Sequence, residues 1–126
     1  IANALYDLGT ILDRKDYKEK AITITNNIKT DMEKYVSGYA NYGNLMLKEI
    51  VPYYEVAIVG KEANQRCIEL NKKYVPNKLL LGCKKESKLK LLEKKFVDGE
   101  TMIYVCENKV CQLPTSDIMT AQKLME

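Results

Sequence analysis

Histidine and tryptophan are absent from this sequence, arginine occurs only at Arg14 and Arg66, and no apolar run approaches the ~18–20 residues of a membrane-spanning helix. Without histidine, nucleophile–histidine pairs, imidazole general bases and histidine metal ligands are excluded within the chain. The lack of tryptophan weakens a sugar-stacking platform, although nine tyrosines remain. The shortage of arginine counts against nucleic acid, whose phosphates and guanine edges are best met by a forked guanidinium. The start of the chain carries no basic-then-apolar signal segment, so neither nucleic acid nor membrane is expected as a partner.

What is present reads as ordinary soluble material: 46% hydrophobic and 29% charged residues suit one small domain, or a helical piece with a smaller module attached. Charge is uneven. Residues 72–95 hold nine lysines against two glutamates, a local +7 in a chain of formal net charge +3, and a solvated lysine face is the reading favoured for such a run. Ile1, not Met, opens a stretch that already reads as helix, so the chain is taken as a piece of a longer protein. There is no internal repeat and no low-complexity segment.

The first half has helical periodicity. Ile1, Leu5, Leu8 and Leu12 form one stripe, and "DRKDY" makes a tight connection. Asp16 and Glu19 then fit a D-x-x-E capping pattern, and Tyr17, Ala21, Ile24, Ile28, Met32 and Tyr35 predict a long amphipathic helix to about Tyr35. Val36-Ser37-Gly38 breaks it, and a shorter helix over 40–50 stops before Pro52. Beyond Pro52 the pattern changes. "YEVAIVG" (54–60) suits a strand covered on both faces, 61–74 a helix with Ala63, Cys67, Leu70 and Tyr74 on one side, and "NKLLLG" (77–82) a second buried strand. Strand, helix, strand predicts a parallel crossover. A short helix over 87–93, a strand over 101–106, a return strand "VCQLP" and a final helix capped by Thr115 or Ser116 complete the expectation. The fold class is mixed α/β, divided into a helical part over 1–50 and an α/β module over 51–126.

Four cysteines are spread along the chain, and Cys106 and Cys111 flank Glu107-Asn108-Lys109. With Asn108-Lys109 at the centre of a tight turn, the two cysteines face each other at a non-hydrogen-bonded pair, ~4.5–5.5 Å apart at their α-carbons. Three readings stay open. Reduced cross-strand thiols are favoured by the default for chains without a secretory signal, an oxidised or oxidisable pair comes second, and metal comes last for want of a second ligand pair. Cys67 reads as packing and Cys83 as the more exposed thiol. "GKEANQ" after Gly60 lacks the spaced glycines of a nucleotide loop and reads as an ordinary strand-to-helix turn. "YVSGYANYGN" (35–44) is a polar–aromatic stretch, read first as an interhelical connection and second as part of a carbohydrate-like pocket.

In order, "IANALYDLGTILDRKDYKEKA", "EKYVSGYANYGNLML", "PYYEVAIVG", "VPNKLLLG" and "MIYVCENKVCQLP" resemble the family called highly conserved protein containing a thioredoxin domain, which includes the spermatogenesis-associated thioredoxin-like protein of animals. The resemblance spans essentially the whole chain. It departs at Tyr42, where members often carry tryptophan, and at Val36 and Lys90, where they carry proline. It implies a thioredoxin-like domain, an (α/α) toroid similar to the N-acylglucosamine 2-epimerase and six-hairpin glycosidase folds, and a C-terminal α/β segment. This chain would supply the last toroid helices and that segment, with the rest of the parent chain as its partner. The resemblance further implies a non-catalytic structural segment whose uncovered helices self-associate; a cytoplasmic setting follows from the default for cysteines without a secretory signal, and neither cofactor nor metal is expected. The alternative is a contribution to a carbohydrate or thiol-redox site of the full-length protein. Its candidates are Asn3, Ser37, Tyr39 and Asn41 on a pocket rim, and Cys106 with Cys111 as a redox pair.

Overall fold

A computed structural model describes all 126 residues and resolves them into two compact units, Ile1–Pro52 and Tyr53–Glu126. The chain is mixed α/β, with six α-helices and one four-stranded mixed sheet.

The first unit is helical: α1 (Ala2–Leu12), α2 (Lys15–Asn27), α3 (Lys29–Lys34) and α4 (Ala40–Ile50), with a 3-10 turn over Val36–Tyr39. Asp13, in a left-handed conformation with φ 56°, ends α1 and turns the chain into α2. Gly9 makes the hairpin tight: a β-carbon there would lie 2.9 Å from the Arg14 carbonyl oxygen and 2.9 Å from Lys18 Cγ. The expected capping role of Asp16 is not what forms. The cap position falls two residues earlier, at Arg14, and both Asp16 carboxylate oxygens accept from the Arg14 guanidinium at 2.8 Å, which lowers the Asp16 pKa. Nor does one helix run to Tyr35. Ile28, at φ −103° and ψ 2°, follows two asparagines, which favour local side-chain bonding over helix, and there α2 gives way to α3.

The buried stripe of α1 is Ala2, Tyr6, Gly9 and Thr10, not the leucine stripe expected from periodicity. α2 approaches α1 most closely at Gly9, and Leu8 and Leu12 remain 44% and 39% exposed. Lys48 of α4 donates to Asp7 at 2.7 Å and ties α4 to α1.

The second unit is built on β1 (Tyr54–Val59), β2 (Lys78–Cys83), β3 (Met102–Glu107) and β4 (Val110–Cys111), in the order β2-β1-β3-β4. β1 pairs in parallel with β2 and antiparallel with β3, so β1-α5-β2 is a parallel crossover through α5 (Ala63–Leu70). Val56, Ile58, Ile103 and Val105 pack on one face with Ala63 and Leu70 of α5 and Ala121 of α6 (Ile118–Lys123). Ala57 and Val59 pack on the other with Leu92. This covering of both faces explains the apolar run of residues 56–59 in β1, whereas β2, an edge strand, is only half-buried.

Three expectations fail here. α5 stops at Leu70, and Tyr74, 86% exposed, lies beyond it. Residues 87–93 make a single turn, closed by Leu92 and Glu93 amides on the Leu89 carbonyl and followed by Lys94 at φ 60°. The cap of α6 is Asp117, whose carboxylate accepts from the Thr120 amide at 2.7 Å, while Thr115 Oγ1 accepts from the Asp117 amide.

Hydrogen bonding to Thr120 lowers the Asp117 pKa, so its contribution to stability is present above the unfolded value, about pH 4, and is lost as pH falls through the folded one. Asp117→Ala should therefore fray α6 at neutral pH and differ less from the parent in acid. Urea unfolding at pH 6 and at pH 3 measures this, and an equal deficit at both would contradict the capping role.

Candidate functional site

The hairpin between β3 and β4 forms in the expected register, Glu107 opposite Val110 and Cys106 opposite Cys111. Asn108 at φ 48° and Lys109 at φ 69° supply the two left-handed residues that a two-residue turn of this hand requires. Reduced thiols were the favoured expectation, but Cys106 and Cys111 are joined as a disulfide. Their α-carbons are 3.8 Å apart, nearer than the ~4.5 Å of an ordinary non-hydrogen-bonded pair and below the ~4.4 Å at which the usual disulfide range begins.

A residue that periodicity passed over completes this end of the sheet. Glu55 is buried, opposite Cys106 in the β1–β3 ladder, and its Oε2 accepts from the Lys109 backbone amide at 3.2 Å. A carboxylate can be buried when such donors reach it. The signal was legible in principle: one acid inside an otherwise apolar strand is a buried charge in want of a partner. From Glu55 through Cys106 to Cys111, one row of side chains thus crosses three strands.

The other two thiols stand apart from this row. Cys67 of α5 packs against the Ile58–Leu70 core, and Cys83 ends β2 among Ala57, Val59 and Leu92 on the opposite face. Burial raises both thiol pKa values, partly offset at Cys83 by a hydrogen bond from the Lys85 backbone, so neither is an activated thiolate. At the turn after β1, the Gly60 amide donates to the Cys83 carbonyl and the Glu62 amide to Thr101 Oγ1, so these groups act within the fold.

Of the pocket-rim candidates, Asn3 and Asn41 come together. The Asn3 side-chain amide donates to the Asn41 carbonyl at 2.6 Å, a tie between α1 and α4. Tyr39 packs its ring 6.1 Å from that of Tyr42, and Ser37 lies exposed in the 3-10 turn. Tyr35 closes over Gly38, where a β-carbon would meet its ring at 2.2 Å. These contacts build an interhelical connection. A cavity of this unit lies elsewhere, a mainly apolar groove of about 150 Å³ between α2 and α4 lined by Ile22, Thr25, Leu45, Met46 and Ile50, with Asn26 and Glu49.

What fold and site define is a class: a helical unit followed by a mixed α/β unit with a disulfide-closed hairpin. Comparison with family models, with curated proteins and with solved structures finds no match to this chain. No helix is long and apolar enough to cross a membrane.

Proposed function

We propose that this chain is a non-catalytic structural and interaction segment of a cytoplasmic thioredoxin-domain protein of unassigned activity. The helices of residues 1–50 close an (α/α) toroid, and the α/β unit is its C-terminal companion. The reading is supported by the side chains that α1 and α4 leave in solvent. Leu8, Leu12, Leu47 and Ile50, the last 75% exposed, face water in a unit that also holds an apolar groove between α2 and α4. Helices with apolar residues on the outer side are what a ring needs where its neighbouring helices pack. The neighbours here are the rest of the parent chain, and in their absence a second copy takes their place.

The chain alone should therefore self-associate, with sedimentation coefficients that rise with concentration. Leu12→Glu with Ile50→Glu should weaken association by about tenfold or more, the effect of roughly 1.4 kcal/mol, while leaving helix content unchanged. A monomer at every concentration would overturn this reading.

A further inference from the structure

The Cys106–Cys111 hairpin is asymmetric in a way that thiol chemistry can use. Cys106 is 2% exposed, in register with Glu55 on one side and Cys111 on the other. Cys111 is exposed, in a two-residue edge strand beside the solvent-facing Val110. An attacking thiolate needs access to the sulfur it strikes, and only Cys111 offers it. Besides the disulfide, β4 meets β3 over only two residue pairs, Cys106 with Cys111 and Glu107 with Val110. Its turn holds two non-glycine residues in the left-handed region, flanked by the Lys109 amide on Glu55 and the Gln112 amide on the Val105 carbonyl at 2.9 Å.

We propose that Cys106–Cys111 is a reversible thiol–disulfide exchange site, entered by a small dithiol at Cys111 Sγ, whose state decides whether β4 is held on β3. One thiolate of the dithiol attacks Cys111 Sγ and forms a mixed disulfide. The Cys106–Cys111 bond breaks, its electron pair leaves on Cys106, and Cys106 takes up a proton. The second thiol of the reagent, deprotonated, then attacks the reagent's own sulfur and expels Cys111, which is protonated in turn. The dithiol ends as a cyclic disulfide, oxidised by two electrons, and the protein gains two electrons and two protons. Closure runs the same path backwards and also begins at Cys111. The site goes beyond the scaffold reading, because it needs only the second unit's own residues.

The test uses the whole chain, equilibrated with oxidised or reduced dithiothreitol, alkylated and read peptide by peptide. The oxidised sample should expose the thiols of Cys67 and Cys83 only, and the reduced sample all four. On reduction, amide exchange at Gln112 should rise about tenfold or more while that at Ile58 holds, the signature of local opening. A monothiol, mercaptoethanol, should be trapped on Cys111 of the unmodified chain. In single variants, oxidised glutathione should modify Cys111 of Cys106→Ser about tenfold or more faster than Cys106 of Cys111→Ser. The trap on the unmodified chain stands if either variant misfolds. Four free thiols in oxidised dithiothreitol, a trap on Cys106, or unchanged Gln112 exchange would each overturn the proposal.

Discussion

Gly60→Ala should destabilise the α/β unit by about 3–5 kcal/mol, from backbone strain and overpacking together. Gly60 leaves β1 at φ 141°, a conformation that residues with a side chain rarely adopt. A β-carbon there would come 2.4 Å from the Glu100 carbonyl oxygen and 2.5 Å from both Cα and Oγ1 of Thr101. Two of those three atoms are backbone, and Thr101 Oγ1 already accepts from the Glu62 amide, so relief requires moving the entry into β3. The Gly60 amide also donates to Cys83, so displacement here disturbs both neighbours of the central strand. At roughly 0.05–0.15 kcal/mol per residue, a unit of this size is stable by on the order of 4–11 kcal/mol, and the substitution removes a large share. Gly99 is the internal control. Its φ is 79°, but a β-carbon there meets nothing within 4 Å, so Gly99→Ala should cost only about 1 kcal/mol of backbone strain. Urea midpoints for the two variants measure the difference, and equal losses would refute the close approach at Gly60.

Local features of this fold were legible in the sequence where one local rule decided them. The run over 54–60 had the composition of a strand covered on both faces, Pro52 marked the end of α4, and Asn108-Lys109 set the hairpin register in which the two cysteines meet. The failures arise where tertiary packing chose among local options. Periodicity found an apolar stripe on α1, but the face that is buried is Ala2, Tyr6, Gly9 and Thr10, with α2 in closest approach at Gly9. The helical pattern of 61–74 outlasted its support: Leu70 is fully buried, the four residues after it are exposed, and nothing packs to hold a further turn. At the candidate site the pair and its facing geometry were legible, but the compartment default ranked reduced thiols ahead of the disulfide that the hairpin holds. Glu55 is marked out by its place in an apolar strand, but its partner, a backbone amide 54 residues away, exists only in the fold.

Ile58→Ala should cost about 4 kcal/mol, in the upper half of the range for such truncations. Ile58 is fully buried on the central strand, with Ile103 opposite it and Leu70 in the same cluster. Its strand is bonded on both sides, so the site cannot collapse around the lost carbons and most of the cavity persists. Ile58→Val, which keeps the branched stem, should cost about 0.5–1.5 kcal/mol. The position also separates core from hairpin. Ile58 pairs with Ile103, three residues from Cys106 and so roughly 10 Å along β3, with its side chain on the opposite face. Effects at that distance without shared partners add to within about 0.5 kcal/mol. The loss on Ile58→Ala should accordingly be the same with the disulfide closed and with it reduced, measured by urea unfolding in oxidised and in reduced dithiothreitol. A deficit that changed by more than about 1 kcal/mol between the two would mean that the hairpin bond is part of the core's cooperativity, and that opening it cannot be confined to β4.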